Sequence, residues 1–180
     1  MHSITNRIKK FNEGRLPDKL LYKYKLMTSN MFSFYRGTCH IFYEDLFAAK
    51  FKIPSPVSWI CGDLHLENFG SYKGNNRLVY FDLNDFDEAI LAPTYLELVR
   101  LVTSIFIAFD SLKIEQKKAA NMARLFLKAY SENLAKGKAY YIEPQTAKGI
   151  ICDFLNKASG RKKKTLIKKR TQKKKACCLS

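Results

Sequence analysis

Cys61-Gly62-Asp63-Leu64-His65-Leu66-Glu67-Asn68, followed by Phe81-Asp82-Leu83-Asn84-Asp85-Phe86-Asp87-Glu88, is the part of the chain that decides how the rest is read. Just ahead of it, residues 57–61 form a short β-branched and aromatic run after Pro54 and Pro56, the pattern of a buried strand. Residues 69–72 and 78–81 read as two further strands around Lys73-Gly74-Asn75-Asn76, which tolerate the positive φ of a tight turn. The two ends of a hairpin are neighbours in space, so Asp63, Asn68 and an aspartate at 82 or 85 are expected to converge. Residues 61–98 hold seven acids against Lys73 and Arg77 alone. Carboxylates crowded in this way repel unless they share a cation or a proton, which leaves metal binding and a solvated acidic loop as the two readings.

Outward from this hairpin the pattern turns helical. Helices are predicted over 17–28, 38–51, 94–111 (opened by Pro93), 114–134 and 147–157. Met31-Phe32-Ser33-Phe34-Tyr35-Arg36-Gly37 reads as an aromatic linker. The order of helices, strand, hairpin and helices predicts an α+β, helix-rich lobe with a short β-hairpin. Of the 180 residues 47% are hydrophobic and 13% aromatic, which excludes a wholly disordered chain and fits one domain over 1–160. The net charge is +16, but residues 161–180 contribute 10 Lys/Arg and no acid, leaving +6 for the body. The excess belongs to a basic tail expected to be disordered.

Five cysteines at 39, 61, 152, 177 and 178 give neither a disulfide framework nor a paired zinc spacing, and no secretory signal is visible. A reducing, cytoplasmic setting is expected. The greasiest stretch, 101–109, is too short for a membrane span.

The order Asp63, Asn68, hairpin, Asp85-Phe86 resembles the catalytic loop of protein kinases. It more strongly resembles the His-Gly-Asp-x-His-x-x-Asn loop of aminoglycoside and choline phosphotransferases. Their downstream Asp-Trp or Asp-Phe, Pro and Tyr-x-x-Leu helix have counterparts in Asp85-Phe86, Pro93 and Tyr95-Leu96-Glu97-Leu98. Through Phe34-Tyr35-Arg36-Gly37, Gly62 to Gly70 and Phe81 to Glu88, the chain also resembles a bacterial family called domain of unknown function 2252, over about residues 20–172. The resemblance implies a kinase-like phosphotransferase that uses Mg²⁺ and ATP. By it Asp63 is the catalytic base, Asn68 a metal ligand and Asp85 the principal metal aspartate, with Asp82 the rival favoured by its distance from Asn68. His65 matches the second histidine of the phosphotransferase loop, positioning the loop or serving as a structural residue on a turn. Arg36 is placed either to reach a phosphate as a forked donor or to pair with the acidic island. Cys61 stands where the phosphotransferases carry histidine.

The eight glycines contain no Gly-x-Gly and no Walker pattern, so the clamp that grips ATP in kinases is missing. Members of the resembled family are longer and carry a glycine-rich segment after the hairpin. The chain therefore reads as a truncated fragment, a pseudoenzyme or a domain completed by a partner, with a noncatalytic protein acting through its tail as the alternative function. Its polybasic run ends in Cys177-Cys178-Leu179-Ser180, a C-a-a-X ending that resembles the tails of small Ras-like GTPases. Prenylation of Cys177 in a eukaryotic cell, with Cys178 open to a palmitoyl group, would take the chain to an anionic membrane surface. The same run offers nonspecific nucleic-acid affinity, but the body has no sequence-reading motif.

Overall fold

Ser3 accepts a hydrogen bond from the Asn6 N–H (3.3 Å) and begins α1 (Ile4–Phe11), a helix that the sequence reading did not include. The computed structural model describes residues 3–161. The run from Lys162 onward, with Cys177 and Cys178, lies outside the described residues. Pro17 presets the first turn of α2 (Pro17–Met27). Asn30 caps α3 (Met31–Gly37) by accepting from the Ser33 N–H at 2.8 Å, so the aromatic segment expected as a linker is helical. α4 (Cys39–Ala48) follows almost directly and is tied to α1 by Arg7, which pairs with Glu44 and Asp45.

β1 (Val57–Ile60) and β4 (Ile90–Pro93) form an antiparallel pair with Val57 opposite Pro93 and Ile60 opposite Ile90. β4 was missed because Pro93 reads as a helix opener; it instead closes the strand, and α5 (Tyr95–Ser111) starts two residues later. Strand alternation turns Ile60 inward onto Tyr95 and Leu96 and leaves Val57 and Trp59 outside, with Trp59 76% exposed. The expected strand is therefore present but buried on one face only. α6 (Gln116–Ala135) packs against α5. Residues 3–68 with Asp85–Lys138 make up this first compact unit.

The second unit comprises Phe69–Asn84 and residues 139–161. β2 (Phe69–Lys73) and β3 (Val79–Leu83) form the expected hairpin. Arg77 takes a positive φ of 66° in the turn, one residue beyond the predicted turn segment. The Phe81 N–H donates to the Ile142 carbonyl (2.8 Å), and α7 (Gly149–Ser159) brings Phe154 edge-on to Phe81. The protein is a helix-rich α+β structure with two small two-stranded sheets among its described residues. No described helix is long and apolar enough to cross a membrane.

Candidate active site

The loop 61–68 is fastened at several backbone atoms by polar side chains from α4 and α5. The Cys61 N–H donates to Glu97 Oε2 (2.9 Å), and the Leu66 N–H donates to Ser104 Oγ (3.2 Å). The Gly62 carbonyl accepts from the Tyr43 hydroxyl and from the Cys39 thiol. Inside the loop, the Asn68 side-chain oxygen accepts from the His65 N–H (2.7 Å), and His65 Nδ1 accepts from the Glu67 N–H (3.2 Å). A short 3₁₀ turn, Leu66–Asn68, results. His65 and Asn68 are buried, so their hydrogen bonds shape the loop where water cannot substitute for them.

Asp63 projects from this loop onto Arg100 of α5. Arg100 is fully buried and donates from Nε (2.8 Å) and Nη2 to Asp63 Oδ1, while Nη2 also donates to the Tyr35 carbonyl (3.2 Å). Its Nη1 meets no acceptor among the described residues. The guanidinium lies 4.2 Å from the Tyr35 ring centre, 4.9 Å from that of Phe42 and 5.9 Å from that of Tyr43, so aromatic faces replace part of its lost hydration. Both contacts to Asp63 fall on one carboxylate oxygen, and the Asp63 side chain remains 24% exposed. Burial pushes the Asp63 carboxyl up while Arg100 pulls against it, with a net upward direction. Burial likewise pushes the Cys39 thiol up to about 12, which leaves it protonated and unreactive near neutral pH.

The predicted residues divide as follows. Asp63, His65, Asn68 and Asp85 belong to the first unit, and Asp82 lies on β3 of the second. Asp85 is exposed and accepts from the Asp87 N–H (3.4 Å). Asp82 is exposed too and accepts from the Leu83 N–H (2.8 Å). No group of three or more His, Cys, Asp or Glu side chains among the described residues is gathered closely enough to hold a metal ion. Arg36 pairs with Glu67 at the surface, so a phosphate at Arg36 would compete with that carboxylate.

Glu97, Arg100 and Ser104, which anchor the loop, were not singled out by the sequence reading as site residues. Their signal was the i, i+3, i+7 spacing that sets three polar residues on one stripe of a largely apolar helix. Burial raises the Glu97 carboxyl, and the hydrogen bond from Cys61 opposes that.

His65 gives a pH signature. Burial, then the positive fields of Arg36 and Arg100, lowers its pKa from 6.5 to about 4. Between those values the unfolded chain binds a proton that the folded loop refuses, so stability falls as pH drops through the window, by up to about 3 kcal/mol. Urea unfolding at pH 7 and pH 4.5 is expected to show this loss, and His65→Gln to lessen it. Equal losses in the two proteins would show that His65 is not the group responsible.

Comparison with curated proteins and with solved structures gives no match. A family model described as an uncharacterized protein conserved in bacteria, the domain of unknown function 2252, matches residues 15–178, and the chain belongs to that family.

Proposed function

We propose that the chain carries the catalytic loop of a kinase-like, Mg²⁺-dependent phosphotransferase that takes ATP. The observation carrying this reading is the register of the β1·β4 ladder. Ile60 pairs with Ile90, so the Gly62-Asp63 segment leaving β1 and the Asp85 to Glu88 segment entering β4 emerge at the same end of one sheet. The close approach of Gly62 to the Glu88 carbonyl supports the same juxtaposition. Asp63 is the residue that orients the hydroxyl of the phosphate acceptor. With Oδ1 fixed by Arg100 and the side chain still 24% exposed, the carboxylate can accept the hydroxyl hydrogen. Phosphoryl transfer asks more for positioning than for a strong base, which suits a carboxylate held by a guanidinium.

Asp85 and Asn68 are the residues that would hold Mg²⁺, an ion that keeps several waters and typically takes one or two carboxylates plus substrate phosphates. Asp85 is exposed, and the Asn68 oxygen keeps a second lone pair beyond its bond to His65. The ion supplies neutralisation of phosphate charge. Glu97 and Ser104 act through the loop backbone as positioning residues.

The test is the thermal midpoint of the full chain with Mg²⁺ and ATP, compared with ATP in a chelator. At about 100 times the dissociation constant the ligand adds about 2.7 kcal/mol, or roughly 5–10 °C for a chain of this size. The shift is expected to vanish in Asp85→Asn. No shift in the wild type, or one retained in the chelator and in Asp85→Asn, overturns the reading.

A further inference from the structure

α1 ends against α2 and α4 in a cluster that the catalytic loop does not use. Asn12 is 1% exposed; its Nδ2 donates to the Ile8 carbonyl (2.8 Å), and its Oδ1 accepts from Lys23 Nζ (3.1 Å). A buried amide thus fixes the position of the Lys23 ammonium. That ammonium lies 5.6 Å from the centre of the Phe11 ring, and the Arg15 guanidinium lies 5.1 Å from the same centre. The His40 ring stacks on Phe11 at 3.8 Å and 4°. Both His40 ring nitrogens are buried and meet no hydrogen-bond partner among the described residues.

Two cations are gathered around one ring, yet neither forms an ion pair with a carboxylate among the described residues. Lys23 has one ammonium proton committed to Asn12 and two remaining. Arg15, which is exposed, has its donor fork available. Burial and the neighbouring Arg15 both lower the Lys23 pKa, so the arrangement is electrostatically costly without a counter-anion. The carboxylates whose fields reach Lys23 are those of Glu88 and Asp63. The cluster is joined to the loop through α4, whose His40 stacks on Phe11 while its Cys39 and Tyr43 donate to the Gly62 carbonyl.

We propose that Lys23 and Arg15 form a phosphate-binding site beside the catalytic loop, for the phosphate tail of the nucleotide. This rests on the phosphotransferase reading and supplies the cationic grip that the sequence, lacking a glycine-rich clamp, does not otherwise provide. Lysine contributes a point charge and arginine a fork matched to phosphate oxygens.

Calorimetric titration of the full chain with inorganic pyrophosphate, in chelator and without divalent metal, tests the site apart from the metal. Wild type is expected to bind, Lys23→Met to bind about tenfold more weakly, and exposed Arg15→Gln about fivefold more weakly. Circular dichroism verifies that both variants are folded. Asp85→Asn is expected to bind as tightly as wild type or more tightly, because it removes a negative charge and no metal is present. The double variant Lys168→Met, Lys169→Met in the basic tail is expected to bind within about twofold of wild type, if the site rather than diffuse charge holds the ligand. No binding by wild type, unchanged binding in both Lys23→Met and Arg15→Gln, or loss on the tail substitutions overturns the proposal. Metal-free pyrophosphate binding that depends on Lys23, in a protein that fails the Mg²⁺ and ATP test, would keep this site while discarding the catalytic reading.

Discussion

Replacing Arg100 by methionine is expected to cost the fold about 3–5 kcal/mol, a fall in thermal midpoint of roughly 10 °C. Methionine fills much of the same volume among Tyr35, Phe42 and Tyr43, so the loss comes from electrostatics rather than from a cavity. Asp63 would be left half-buried without its counter-charge, and the Tyr35 carbonyl would lose the Nη2 donor. The variant also acquires a pH dependence with a defined sign. In wild type, burial raises the Asp63 carboxyl and the guanidinium restrains that rise; without Arg100 the restraint is gone. The folded variant then binds a proton that the unfolded chain releases, so the variant regains stability as pH falls through the window above the ordinary carboxylate value. Adding Asp63→Asn to Arg100→Met removes the unpaired charge and is expected to restore a large part of the loss. Urea unfolding across pH measures all three proteins. A cost under about 1 kcal/mol for Arg100→Met, with no pH dependence relative to wild type, would show that the pair contributes little to the fold.

What could be read from sequence was local. Pro17, the turn residues around Gly74 and the apolar spacing of 94–111 each specify an element by backbone preference or periodicity, and those elements are present. The segment 31–37 was misjudged because its aromatic composition hides a helix whose clearest signal is the single cap Asn30. β4 was hidden for a different reason: Ile90-Leu91-Ala92-Pro93 has almost no pattern of its own and is a strand only because β1 pairs with it. The candidate site follows the same division. Asp63, His65, Asn68 and Asp85 are singled out by their order along the chain, and the first three share the loop 61–68. Arg100 is brought to Asp63 across a separation that no short-range pattern reveals, by packing between α5 and the loop. The cationic pair at Phe11 was invisible too, since Arg15 and Lys23 look like any other charges in a basic chain until Asn12 fixes one of them.

Gly62 joins the fold to the site, and Gly62→Ala is expected to be the most damaging small substitution in the loop. Gly62 has φ of +79°, a conformation that costs any residue with a Cβ about 1–3 kcal/mol. A Cβ there would also run into the backbone carbonyl of Glu88, which cannot swing away as a side-chain tip can. Gly14 provides the comparison, with the same φ of +79° and nothing within 4 Å of an added Cβ. Gly14→Ala therefore reports the conformational cost alone, on the order of 1 kcal/mol. Gly62→Ala adds the steric cost of moving the Glu88 backbone, for a total of about 2–5 kcal/mol. The displacement also acts on function, because the Gly62 carbonyl is the acceptor for Tyr43 and Cys39, and Asp63 is the next residue. The part of Gly62→Ala that remains folded is thus expected to lose the Asp85-dependent response to Mg²⁺ and ATP, while Gly14→Ala keeps it. Equal destabilisation by the two substitutions would mean that the Glu88 turn yields freely. In that case the junction between the loop and β4 would be too compliant to position Asp63 for phosphoryl transfer.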